Sequence, residues 1–372
     1  MGERTITVVE DRVVAGDEAP REGSKFHTFP SLTTCSDGSY LCTTLVGSEK
    51  SGPDGRTRAF KSTDSGASWG PMPSPTKWDE QTNARWGYLM CHIVETSPGH
   101  LLAAYVRSDR FNPDEPIFHP KTDGMQHTQV RLSESEDGGR TWSRTRDLDF
   151  TLPDLIVPGR FIRLPNGWLG MPCEVWHEWD KGFVQGPSAR LILSRDNGKT
   201  WPEAGVIARE EAGRLLYGDP RLTLMPDGRL VALMWTHDLT SGQDLPVHRA
   251  ESSDMGLTWC AAQQVGITGQ IASPASLGEG LMLAAYQKRF GADAGLWAVL
   301  SYDGGLSWDA ETDTVLWAAG EHTKCKNPFS GYQEYTFGYS TVLPLPGREV
   351  LVPFWASNGR TTCVRLLRVR IG

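Results

Sequence analysis

STDSGASW (Ser62–Trp69), SEDGGRTW (Ser135–Trp142), SRDNGKTW (Ser194–Trp201), SSDMGLTW (Ser252–Trp259) and SYDGGLSW (Ser301–Trp308) share one frame, Ser-x-Asp-x-Gly-x-x-Trp. Five copies of so demanding a spacing mark an internal repeat, and each fixed residue has a local task. The carboxylate of Asp64, Asp137, Asp196, Asp254 or Asp303 accepts backbone N–H groups across a tight turn, and the Gly takes positive φ there. The Trp then packs its large ring between neighbouring sheets.

Upstream of each box runs a second recurring unit: an apolar strand, a Gly-containing turn and another apolar strand. Its copies read FPSLTTCSDGSYLCTTLV, CHIVETSPGHLLAAYV, GRFIRLPNGWLGMPCEV, PRLTLMPDGRLVALMW and SPASLGEGLMLAAY. A sixth copy, GYSTVLPLPGREVLVPFW, begins at Gly338 and runs on to VRLLRVRI with no box. Two strands about a turn, a third that ends at the box and a fourth after the Trp make a four-stranded antiparallel blade. The 372 residues divide into six units of 62, close to the ~40–60 residues of a propeller blade with its loops. The last unit lacks its outer strand, and TITVVEDRVV near the N-terminus is free to supply it, closing the ring and removing sheet edges. The expectation is an all-β chain, residues 1–372 forming a single six-bladed β-propeller.

Composition agrees. Hydrophobic residues at 39% and charged residues at 22% can build a core, and 40 Gly with 24 Pro imply many turns. A net charge of −8 offers no footprint for DNA or RNA. No stretch approaches the ~20 apolar residues of a membrane span. MGERTITVVEDRVVAG carries no apolar signal-peptide core, which favours a cytoplasmic location. The seven cysteines are scattered without a CxxC pair, so they read as buried thiols rather than disulfides or zinc ligands. No metal or cofactor is expected.

The boxes resemble the Asp boxes (BNR repeats) of the sialidase (neuraminidase) superfamily, and the resemblance spans nearly the whole chain. It implies an exo-acting glycosidase with a carbohydrate substrate, the box carboxylates being structural and lying on the blade periphery. A Tyr directly before Ser at the start of the sixth blade is the nucleophile in that family, and Tyr339 matches it. Asp219 stands where the family has a Glu that polarises this Tyr, with Glu174 or Glu334 as substitutes, and Asp54 falls in the loop that carries its general acid/base, with Glu49 a second candidate there. Arg289 matches one of three arginines that clamp the sialic acid carboxylate. Two are missing: the first blade reads Phe26-His27-Thr28-Phe29-Pro30, and Met234–Asp238 offers His237 instead. A different acidic sugar, or a neutral one, is therefore the expected substrate, with His27, His237 and Arg85 as donors.

The residues themselves add candidates. Arg85 beside Trp86 suits sugar recognition, guanidinium to oxygen and indole to the pyranose face. Strand alternation puts Glu174, Trp176 and Glu178 on one face, and Trp235 is a further ring for stacking. The polar insert from Arg107 to His127 reads as a lid or pocket wall. Plain alternatives remain for each: Pro53-Asp54-Gly55 as a turn, Arg289 as a rim charge, Tyr339 as a lining residue, the Glu/Trp run as a packing ladder. Two other functions fit the same pocket. One is a polysaccharide lyase in which His27, His92, His177, His237 or a Tyr abstracts a proton. The other is a propeller that binds glycan without turnover.

Overall fold

The computed structural model describes residues 4–17, 25–82, 85–110, 112–150, 152, 154–180, 187–320, 329, 331–339, 341–357 and 362–372. Among them, six antiparallel sheets form the blades of a propeller. Blade one is Phe26–Thr34, Tyr40–Gly47, Arg56–Ser62 and Gly70–Met72; blade two is Trp86–Ser97, His100–Asp109, Thr128–Ser135 and Arg146–Asp147. Blade four is Leu215–Leu224, Leu230–Asp238, Gln243–Ser252 and Gln263–Gln264; blade five is Gln270–Ser276, Met282–Lys288, Gly295–Ser301 and Asp309–Ala318. Blades three and six break their inner strand in two, Leu155–Ile156 with Ile162–Arg163 and Phe337–Tyr339 with Leu343–Leu345.

The ring closes as the strand count requires. Ile6–Gly16 pairs antiparallel with Thr362–Ile371, from Ile6 opposite Ile371 to Gly16 opposite Cys363, and so becomes the outer strand of blade six. Neither terminal strand is left with an unpaired inner edge. The core lies between blades. One cluster joins Leu102 and Leu132 of blade two to Leu169, Ile192 and Trp201 of blade three. Cys42, Cys91 and Cys173 are buried free thiols, Cys363 is buried as well, and Cys260 is exposed.

Each box is a hydrogen-bonded knot. In the third, Asp196 Oδ1 accepts from Thr200 N at 2.8 Å and Ser194 Oγ at 2.8 Å, Oδ2 accepts from Thr200 Oγ1 at 2.6 Å, and Ser194 Oγ in turn accepts from Gly198 N at 2.7 Å. The other four repeat this pattern, so the seventh position, Ser or Thr in every copy, is part of the motif although the frame above left it open. The donors matter more than burial. Bonds from the Ser68 hydroxyl and amide, then from Ser62, hold Asp64 down at about 2, and those from Thr141 and Ser135 do the same for Asp137. A carboxyl lowered on folding adds stability that is complete above its ordinary value of 3.8 and is lost as pH falls toward 2. Acid unfolding followed by tryptophan fluorescence is therefore expected to steepen between pH 4 and pH 2. Asp64→Asn should flatten that slope, and an unchanged slope would refute the assignment.

Candidate functional site

The inner strands do not run straight past the axis. Their pairing slips between Thr28 and Ser31, Tyr88 and Cys91, Gly218 and Arg221, and Gln270 and Ser273. These bulges push Phe29, Leu89, Met90, Asp219 and Ile271 into a common axial cavity of about 120 Å³. Phe29, Asp219 and Ile271 take φ of 50°, 52° and 48°, a region that L side chains enter only when the surrounding structure holds them there.

Two carboxyl groups face the cavity among the described residues, Asp219 and Glu174. Glu174 projects from near the end of Leu169–Val175, the second strand of blade three. Its Oε2 accepts the Asp219 N–H at 2.5 Å. Burial first, and the Asp219 charge second, raise the Glu174 carboxyl to about 8. Asp219 Oδ1 accepts from Arg221 Nη2 at 3.3 Å. Arg221 is 3% exposed, faces the cavity, and keeps Nε and Nη1 buried without an acceptor.

Two further cations share one aromatic wall. Lys50 Nζ donates to the Tyr332 carbonyl and stands 3.6 Å from the Tyr332 ring centre, 4.3 Å from that of Tyr335 and 5.7 Å from that of Trp355. The Arg289 guanidinium lies 4.1 Å from the Tyr335 ring centre. With its amide turned to present oxygen, Gln287 accepts from Arg289 Nη2 at 2.6 Å and Nε at 2.8 Å. Cation–π contacts of this kind hold the charges in place while leaving them able to meet an anion.

The insert after blade two's second strand is indeed a wall. Phe118 bridges to Met125, and Met125 N donates to the His177 carbonyl at 3.2 Å. Thr122 Oγ1 donates to the Trp179 carbonyl at 2.6 Å, and Trp176 Nε1 to the Asp123 carbonyl at 2.9 Å. The Phe118 ring meets Trp176, Phe329 and Tyr332 edge-on or tilted at 5.7, 6.0 and 5.1 Å, roofing the cavity. Gly124 permits this docking, since a Cβ there would collide with the carbonyls of Glu178 and Trp179. Gly124→Ala is expected to lift the insert, cost about 1–3 kcal/mol, and speed tryptic cleavage after Lys121. Unaltered cleavage would show that the close approach is not needed.

Of the residues expected at the site, Asp219, Glu174, Trp176, Trp235 and Arg289 line the cavity. Tyr339 ends the inner strand of blade six opposite Phe354, next to the cavity-lining Gly338, and its side chain lies outside the described residues. Asp54 does not line the cavity: its carboxylate accepts from the Ser48 amide at 2.9 Å and hydroxyl at 2.9 Å, the turn reading of that loop. Arg85 is turned outward onto Asp109. His27 packs near Gly16 beside the closing seam, with its amide bonded to Thr362, and burial lowers it to about 4. His237 stands behind Trp235, Nδ1 on Asp244 at 2.8 Å and its ring against Phe329. The box carboxylates stay at the periphery, bonded within their own turns. Of the histidines considered for proton abstraction, His92 lines the cavity. Its two nitrogens bond Ser31 Oγ and the Val157 carbonyl, each at 2.7 Å, and burial lowers it to about 4.

Lys50, Arg221, Tyr332, Tyr335, Trp355 and Phe329 were not anticipated. Lys50 lies in the very loop searched for an acid, and Arg221 follows Asp219 by two positions, so both had a visible neighbour. The aromatic wall depends on contacts between Lys50 and residues some 280 positions later, which no local pattern carries.

A family model described as a BNR repeat-like domain matches residues 117–263. A curated sialidase of Bacteroides fragilis is 26% identical over 219 residues, which take in 53% of this chain and 37% of that protein. The chain thus spans little more than a third of that relative's length. Among solved structures, a Dyadobacter fermentans protein of unknown function superimposes with a TM-score of 0.73 at 18% identity, covering 99% of both chains. A Hadza microbial sialidase does so with a TM-score of 0.65 at 18% identity, over 92% of this chain and 65% of the other.

Proposed function

We propose that this BNR-repeat propeller is a sialidase-like exo-glycosidase that releases a terminal acidic sugar with retention, using Tyr339 as nucleophile and Asp219 as its base. The observation that carries this reading is Arg221. A buried guanidinium with two unfilled donors beside a cavity is costly unless an anion or water completes it, and an acidic sugar supplies a planar two-oxygen acceptor. On the aromatic wall Lys50 joins Arg289, the matched arginine, and Lys50 with Arg221 supplies positive charge in place of the two arginines missing from the family pattern. Trp176 and Trp235 offer ring faces to the sugar. The roof of Phe118 and Phe329 suits one terminal residue rather than a chain threading through. A phenol suits an anionic substrate because a carboxylate nucleophile would repel it, and sialidases are an exception to the two-carboxylate scheme for that reason. The likeness to proteins named as sialidases supports the same reading.

Assay against aryl glycosides of uronic, ulosonic and neutral sugars tests it. Turnover is expected with acidic sugars. Arg221→Met should lower kcat/KM for them by about 100-fold, the worth of one or two charged hydrogen bonds, and Arg221→Lys should restore part. Hydrolysis confined to neutral sugars would remove the anion role. Binding of a sugar without turnover would favour the non-catalytic alternative.

A further inference from the structure

We propose that Glu174 is the proton donor to the departing group, taking the place of the loop carboxylate that Asp54 does not provide. The proposal rests on the glycosidase reading above. A glycosidase of this kind needs a group that gives a proton to the leaving oxygen and later takes one from water. The loop candidate is held at Ser48, and the carboxyls that reach the cavity among the described residues are Glu174 and Asp219.

Their surroundings divide the labour. Asp219 has the Arg221 guanidinium beside it at 3.3 Å, and its side chain is 24% exposed. Glu174 is 6% exposed and lies between Ile156 and Ala189 on the flanking strands of its own sheet, both apolar. From the next blade it is faced by Asp219 and Arg221, and the other titratable groups on the cavity wall are His92, Lys50, Arg289, Tyr332 and Tyr335. Two carboxyls so close do not both ionise readily, and the more deeply enclosed of them, Glu174, keeps the proton. One Glu174 oxygen accepts the Asp219 amide and the other is left to carry the hydrogen. Burial and the Asp219 charge raise this carboxyl to about 8, so that it is protonated at neutral pH.

The steps balance. Tyr339 gives its phenolic proton to Asp219 and its oxygen bonds the anomeric carbon. The bond from that carbon to the aglycone oxygen breaks, and that oxygen takes the proton of Glu174 and leaves as an alcohol. In the second half the Glu174 carboxylate takes a proton from water and the hydroxide bonds the anomeric carbon. The tyrosyl oxygen departs and recovers its proton from Asp219. Sugar and alcohol are the net products, and both carboxyls return to their starting state.

The test separates this role from the underlying reading. Infrared difference spectra of the whole protein at pH 7 should contain a protonated-carboxyl stretch that Glu174→Gln removes, whether or not any sugar is turned over. Its absence from the wild type overturns the proposal by itself. With activity in hand, Glu174→Gln should lower kcat by at least about 100-fold for alkyl glycosides yet by under about 10-fold for nitrophenyl glycosides, whose leaving group needs no proton. The wild-type rate should fall as pH rises through about 8, and the variant should lose that limb. Equal losses on both leaving groups, or a retained alkaline limb, would overturn the proposal. If the wild type hydrolyses nothing while the infrared band is present, the glycosidase reading fails, and the donor role falls with it.

Discussion

Tyr339→Phe should abolish turnover, by on the order of 10⁴-fold or more in kcat, with KM little changed. On the mechanism proposed above, the variant lacks the atom that bonds the sugar. The backbone supports the choice: Tyr339 follows the cavity-lining Gly338 on the inner strand of blade six, opposite Phe354. Among the described residues, Tyr332 and Tyr335 line the cavity and serve as internal controls. Tyr332 donates to or accepts from Ser51 Oγ at 2.9 Å, and burial raises its phenol further above its ordinary value, which makes it a poor nucleophile. Tyr335 lies under both Lys50 and Arg289 and acts through its ring. Tyr332→Phe and Tyr335→Phe should each keep more than about a tenth of the rate, since they perturb positioning rather than bond formation. Full activity in Tyr339→Phe together with loss in Tyr335→Phe would move the nucleophile to the aromatic wall. Trapping with a fluorinated analogue of the acidic sugar, then locating the modified peptide, decides between them.

The fold was legible because a box is a local object. Its Ser, Asp, Gly and Trp touch one another within eight residues, so spacing alone reveals it, and five copies with the box-less sixth strand-turn-strand unit set the blade count. The strand exchange between the termini followed from counting, since a blade without its outer strand needs one from elsewhere. The cavity was legible only where it reused a strand position. Asp219 and Arg289 were located by their place in a blade, Glu174, Trp176 and Trp235 by their chemistry, and all line the cavity. The misses have a common cause. Asp54 and His237 stand where the family pattern has a site residue and Arg85 is the right residue type beside a Trp, but whether a polar side chain faces a cavity depends on competing partners, here Ser48, Asp244 and Asp109. Those partners are six to two dozen residues away and no more conspicuous than their neighbours. Arg221 was passed over for the opposite reason: a charge two positions after another reads as its salt bridge, and its unfilled donors are visible only in three dimensions.

Gly205→Ala should be among the most destabilising substitutions in the chain, because it parts two blades at their seam. Gly205 lies in Glu203–Arg209, the outer strand of blade three, paired with Leu191. Its φ is not in the left-handed region, so an alanine suits the backbone, and the obstacle is space alone. A Cβ there would run into the carbonyl oxygen of Gly256, in the box of blade four, and stand 3.0 Å from Trp259 Nε1. The box cannot retreat. Gly256 itself packs against Leu191 of blade three, and its amide and carbonyl are tied to Ser252 Oγ and Trp259 Nε1. The same interlock recurs where Gly198 meets Leu102 and Gly139 meets Met72, each box turn seated on the preceding blade. The boxes are thus contacts between blades as well as turns within them, which explains why the glycine is fixed along with the carboxylate. Overpacking at such a rigid seam costs about 3 kcal/mol, seen as a lower midpoint in urea with an unchanged m-value. Gly70→Ala is the control: it lies at the equivalent outer strand of blade one with no atom near its Cβ, and should shift stability by under about 0.5 kcal/mol. Equal stability of the two variants would mean that blade three and blade four slide apart without penalty, and that the box glycines serve their turns alone.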